Sequence, residues 1–257
     1  MSSSTILDVS DVTLRFGGVT ALKEVSFSVQ PGELFAIIGP NGAGKTSIFN
    51  CINGVYKPEK GSISFEDKEL IGKRPVNVAR LGVGRTFQNL GLFMNLNLID
   101  NLLLGRHLQM KTGFLSGALW WGRAKNEEIV NRQKIEIIID LLELQPYRYQ
   151  AVGLLPYGIQ KRVELGRALA MEPRILLLDE PVAGMNLEET EDMARYILEI
   201  NNQLKISILL VEHDMAMVMD IADCVMALDF GQTIVTGPPK EVQSDQRVIA
   251  AYLGEAS

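Results

Sequence analysis

Gly39-Pro40-Asn41-Gly42-Ala43-Gly44-Lys45-Thr46 fits the pattern G-x-x-x-x-G-K-[ST] at every fixed position. An apolar run, Leu34-Phe35-Ala36-Ile37-Ile38, precedes it, and a helix-like segment, Ser47-Ile48-Phe49-Asn50-Cys51-Ile52, follows. Strand, loop and helix in that order make the pattern a phosphate cradle rather than a glycine-rich turn. The glycines let backbone N–H groups converge on the β- and γ-phosphates, and the helix N-terminus, entered through Ser47, adds partial positive charge. Lys45 supplies a mobile cation, and the Thr46 hydroxyl suits Mg²⁺. The chemistry this predicts is binding of a nucleoside triphosphate.

A second cluster of chemistry ends the run Ile175-Leu176-Leu177-Leu178, where Asp179 and Glu180 follow four aliphatic residues. A buried strand that delivers acids at its C-terminal end places them where ligands sit in open α/β sheets. Asp179 is expected to hold Mg²⁺, and Glu180 to polarise an attacking water. His213, one of two histidines, follows another apolar run, Ile208-Leu209-Leu210-Val211, and could contact the γ-phosphate. The other, His107, reads as structural.

These groups need elements to position them. Alternating segments around 6–16 and 19–29 end at the turn signal Pro31-Gly32, and 61–65 reads as another short strand. From about Asn89 to Met171 the pattern turns helical, with long apolar residues at three-and-four spacing over 129–144 and 163–170. Buried strands at 175–178, 206–211 and 224–228 then alternate with helix-like 188–204 and 215–222. Continuous apolar strands alternating with helices argue for a parallel α/β core into which a helical lobe is inserted.

Bulk properties narrow the partners. With 25 basic and 31 acidic residues the net charge is −6, so no basic footprint points to nucleic acid or an anionic membrane surface. Cys51 and Cys224 lie in apolar stretches without metal-ligand spacing and read as buried free thiols. Neither a signal peptide nor an apolar run near the ~20 residues of a membrane span is evident, which predicts a cytosolic chain.

Taken in order, these residues resemble the ATP-binding subunits of ABC transporters over the whole chain. The resemblance implies a P-loop NTPase of that type: a RecA-like α/β core with an antiparallel β subdomain and an inserted helical subdomain. On that pattern residues 1–257 form one ATP-binding domain, with 1–88 and 172–257 as catalytic lobe and 89–171 as helical lobe. Phe16 matches the aromatic that stacks on adenine, and Gln88 in Arg85-Thr86-Phe87-Gln88-Asn89 matches the glutamine that touches Mg²⁺ and couples to the membrane subunit. Leu155-Pro156-Tyr157-Gly158-Ile159-Gln160 occupies the signature position, which implies that Tyr157, Gly158 and Gln160 meet ATP held by a partner subunit. Pro181-Val182-Ala183-Gly184-Met185-Asn186 matches the loop that crosses the dimer interface.

Within that family, Phe16-Gly17-Gly18, Val83-Gly84-Arg85-Thr86-Phe87-Gln88, Val211-Glu212-His213-Asp214-Met215 and the ending Ala251-Tyr252-Leu253-Gly254-Glu255 resemble the branched-chain amino acid, LivG-like group. So does the stretch from His107 to Lys125, which holds Phe114, Leu115, Leu119, Trp120 and Trp121. The implied partners are a second, related ATPase subunit (a homodimer being the other arrangement), two transmembrane permeases and a separate solute-binding protein. The implied place is the cytoplasmic face of a bacterial inner membrane. Lipopolysaccharide-export ATPases share several of these phrases, so a lipid-export ATPase is an alternative, as is a soluble ABC ATPase.

One residue departs from the pattern. The signature normally carries serine, whose hydroxyl donates to the partner's γ-phosphate, where this chain has Pro156. A hydrogen bond to a charged group is worth about 1.5–3 kcal/mol. In a heteromeric dimer, ATP on this chain's own loop is therefore expected to turn over normally and the partner's ATP slowly. Replacing Pro156 with Ser should raise turnover at the partner's site, measured with each site inactivated in turn; an unchanged rate there sinks the asymmetry.

Overall fold

The computed structural model describes residues 5–86, 91–109 and 123–253. By contact density the chain divides into one unit of residues 1–85 with 174–257, and a second of residues 86–173.

The first unit opens with β1 (Leu7–Phe16) and β2 (Val19–Val29), an antiparallel pair. Along β1 the inward positions are Leu7 and Val9, then Val12 and Leu14. That one-residue change of phase would turn the second half outward in a regular strand. A bulge between Val9 and Val12 absorbs it, with Asp11 in the left-handed region at φ 51°. Asp11 accepts from the Ser26 hydroxyl at 3.0 Å, and its N–H donates back to that oxygen at 2.8 Å. With β4 (Lys60–Phe65) and β5 (Lys68–Glu69) these strands form a sheet ordered β2-β1-β4-β5.

The second sheet carries the chemistry. Its order is β10-β9-β3-β8-β7-β6, built from β3 (Leu34–Ile38), β6 (Val83–Arg85), β7 (Ile175–Asp179), β8 (Ser207–Val211), β9 (Cys224–Asp229) and β10 (Gln232–Gly237). The pairs β9-β3, β3-β8, β8-β7 and β7-β6 are all parallel. β3, β7 and β8 are buried along their full length, which explains why all but Ser207 and Asp179 of their residues are apolar. Helices α1 (Lys45–Ile52) and α2 (Pro75–Arg80) belong to the same unit. Cys51 on α1 is a buried free thiol, pushed by burial up to about 12, whereas Cys224 is half-buried rather than buried as expected.

The second unit is helical, with α3 (Leu98–Gly105), α4 (Arg123–Leu141) and α5 (Tyr157–Leu169). Gly166 lets α5 press close to its neighbours. A Cβ there would lie 2.9 Å from Leu102 and 3.1 Å from Leu142. The buried Arg106 guanidinium donates to Asn131 Oδ1 at 2.9 Å and to the Ala170 carbonyl at 3.0 Å.

Back in the first unit, α6 (Leu187–Leu204) is followed by α7 (Met215–Ile221) and then by α8 (Pro239–Ser244) and α9 (Gln246–Leu253). α6 starts at a capping box. Asn186 accepts from the Glu189 N–H at 3.0 Å, and Glu189 accepts from the Asn186 N–H at 3.0 Å. Replacing Asn186 with Ala should lower stability by about 1 kcal/mol. Urea unfolding checks this, with Asn186→Asp staying close to the parent.

Candidate functional site

Parallel pairing sends the chain out of β3, β7 and β8 at the same edge of the sheet. The phosphate loop leaves β3, Asp179 ends β7 with Glu180 after it, and Glu212 and His213 follow β8. Residues more than 130 positions apart in sequence thus share one rim of the first unit.

The loop closes on itself. Gly39 and Gly44 have φ of 152° and 106°. A Cβ at Gly39 would collide with the Leu228 carbonyl oxygen, and one at Gly44 would lie 2.7 Å from the Ala21 carbonyl oxygen. No other residue fits either position. Lys45 is buried, its Nζ donating to the carbonyls of Gly39 at 2.5 Å and Pro40 at 3.0 Å. Behind the loop, the Gly231 N–H donates to the Ala43 carbonyl at 2.9 Å, so the β9-β10 turn braces it. A cavity of about 430 Å³ lies along Pro40, Asn41, Gly42, Ala43, Asp229, Phe230, Ala250 and Ala251. The C-terminal helix α9 therefore forms one wall beside the loop.

Asp179 is held by more than its strand. Its Oδ2 accepts from Arg85 at 2.9 Å, and Arg85 also donates to Asn50 Oδ1 at 2.8 Å. A buried carboxylate on β7 and a hydroxyl at Thr46 are hard oxygen donors of the kind Mg²⁺ takes, so the residues fit that ion. Glu180 stands in the left-handed region at φ 49°, its N–H bonded to the Val211 carbonyl at 2.9 Å. Eight other non-glycine residues among those described share this region, so the conformation by itself assigns Glu180 no role.

Glu212 has no role in the sequence reading, yet it ties the rim together. It is fully buried and accepts from the N–H groups of Val182 at 3.1 Å, His213 at 2.9 Å and Asp214 at 3.4 Å. Burial pushes its carboxyl above the ordinary carboxylate range, and those N–H groups and His213 oppose the rise without cancelling it. The His213 ring is 57% exposed, with Nδ1 3.6 Å from Glu212. Its neighbour Glu212 shares the pattern of Asp179, an acid closing an aliphatic run, which was the signal available.

Phe16 ends β1 with 47% of its surface exposed and packs edge-on against Tyr56, ring centres 5.0 Å apart. Tyr56 is a further residue the sequence reading left out. In the second unit, Pro156 sits at the N-cap of α5, just ahead of its first turn, with φ −53°. Tyr157 is 43% exposed and Gly158 is buried. Gln160 turns its amide to the Leu155 carbonyl at 2.8 Å, bracing the entry to the helix. Gln88 lies outside the described residues, as do Trp120, Trp121 and the other apolar residues of that insert.

Comparison with known proteins agrees with this geometry. Residues 22–183 match the ABC transporter family model, and 232–257 match that of branched-chain amino acid ATP-binding cassette transporters. The high-affinity branched-chain amino acid transport ATP-binding protein LivG of Escherichia coli K12 is 40% identical over 99% of this chain and 100% of its own. BraF of Pseudomonas aeruginosa, with the same description, is 39% identical over the same shares. Among solved structures, the ADP conformation of an ATP-binding cassette of an ABC transporter superposes with a TM-score of 0.84 at 30% identity, covering 97% of this chain and 99% of that one.

A carboxyl whose pKa is raised on folding adds stability below its unfolded value, here 4.5, and loses it as pH rises through the folded value. Glu212→Gln should cost about 1–3 kcal/mol through its mismatched amide. The stability gap between parent and variant in urea should narrow as pH is raised from that value. A gap independent of pH would show that Glu212 does not titrate in this way.

Proposed function

Because this chain belongs to the ABC transporter family, we propose that it powers import of branched-chain amino acids or a related small polar solute such as an amide, urea or an aromatic acid. Membership makes it an ATP-binding ATPase whose turnover is coupled to transport, a peripheral membrane-associated component that works with permease subunits. No helix among the described residues is long and apolar enough to cross a membrane. The match of the final segment, residues 232–257, carries the choice of an importer over a lipid exporter.

In the reading we favour, the main-chain N–H groups of residues 41–47 hold the β- and γ-phosphates, and Lys45 exchanges its loop carbonyls for phosphate oxygens. Phe16 stacks on adenine. Thr46 and Asp179, with Gln88, hold Mg²⁺, which offsets the charge of the phosphates when bound. Glu180 takes the proton of the water that attacks the γ-phosphorus, as the bond to the ADP oxygen breaks. His213 contacts the γ-phosphate. Positioning and electrostatics supply most of the catalysis in such chemistry. Tyr157, Gly158 and Gln160 serve the nucleotide of a second, related ATPase, and two permeases with a separate solute-binding protein complete the complex at the cytoplasmic face of a bacterial inner membrane.

A general base contributes roughly 100-fold or more to rate, so Glu180→Gln should lower phosphate release by at least about that factor while ATP stays bound. Retained turnover would remove Glu180 from this role. A tagged pull-down from native membranes should recover two multi-spanning permeases and a second ATPase; recovery of a lipid-export complex would reassign the function.

A further inference from the structure

Arg85 links two parts of the rim that the sequence keeps apart. It ends β6, and its register partner on β7 is Leu177, two residues before Asp179. The Asp179 side chain is 0% exposed and that of Arg85 9%. A buried carboxylate needs a compensating charge, and Arg85 supplies one at 2.9 Å. The other arm of the guanidinium reaches Asn50 Oδ1 at 2.8 Å, and its carbon stands 5.6 Å from the centre of the Phe49 ring. Phe49 and Asn50 lie on α1, the helix that begins at Lys45 and Thr46. Thr46 and Asn50 are four apart and so share a face of α1.

We propose that Arg85 is a positioning residue, a planar strut that fixes the span between the Thr46 face of α1 and the Asp179 carboxylate and so preorganises the magnesium site. This rests on the metal role proposed for Thr46 and Asp179. The fork geometry is essential to it. One planar group engages Asn50 and Asp179 at once, and its contact with Oδ2 sets the rotation of the carboxylate. Lysine would keep the charge without the fork.

The test is equilibrium binding of a fluorescent ATP analogue to the full chain, with Mg²⁺ and with EDTA, alongside kcat and KM. In Arg85→Met, the affinity gained on adding Mg²⁺ should shrink at least tenfold, with affinity in EDTA within about threefold of the parent. Arg85→Lys should recover part of the gain, and Asn50→Ala should lose a smaller part. Equal loss in Mg²⁺ and EDTA, or an unchanged gain, overturns the strut. If Arg85→Met does not fold, Asn50→Ala decides alone, and a parental Mg²⁺ response there overturns the proposal. Asp179→Asn separates the two levels. If it leaves the Mg²⁺ gain intact, the metal assignment falls; if it abolishes the gain while Arg85→Met does not, only the strut falls.

Discussion

Parallel hydrogen bonding between β3, β8 and β7 is the constraint from which the rest of the molecule follows. Strands paired that way must leave the sheet on the same side, so three loops from distant parts of the chain meet without any direct sequence link. Parallel strands also need their faces covered, and the apolar runs Leu34–Ile38, Ile175–Leu178 and Ile208–Val211 are the signature of that burial. The apolar sequence and the polar rim are therefore two ends of one arrangement. The sheet must be dry along its length for its edge to be fixed.

A dry sheet creates an electrostatic problem where its acids emerge. Asp179 and Glu212 are both buried carboxyl groups, and each is answered differently. Asp179 is met by a full charge from a neighbouring strand. Glu212 is met mainly by main-chain dipoles, from segments that begin after Glu180 and at His213, with the His213 ring beside them. Lys45 is the cationic counterpart, buried against loop carbonyls. Each solution ties a group at the rim of the sheet to a neighbouring segment, so neutralising the charge and orienting the group are a single event.

Much of this was legible in the residues. The phosphate loop and the acids after Ile175–Leu178 declare themselves because their geometry is local, a turn and a strand end. Strands 175–179, 207–211 and 224–229 and helices 187–204 and 215–221 fall within a residue or two of their periodicity. The bulge in β1 was hidden, since alternation looks continuous until a partner strand fixes the inward face. β10 and the short helix α8 were passed over because their polar, half-exposed sequences carry weak periodicity. Arg85 was hidden for another reason, since its partner Asp179 lies 94 residues away and no spacing rule reaches that far. Glu212 showed its place as an acid after an apolar run, but not its partner Val182, 30 residues away.

Glu180 carries a conformational cost that eight other non-glycine residues among those described also carry. A left-handed backbone at a residue with a side chain disfavours the native state by about 1–2 kcal/mol, a penalty glycine would not incur. Glycine at this position would relieve that cost and remove the carboxylate with it. A redesign that relieves left-handed backbone wherever it occurs would treat Glu180 like Asp11 or Phe230, and at this one position it would also strip the acid that follows β7.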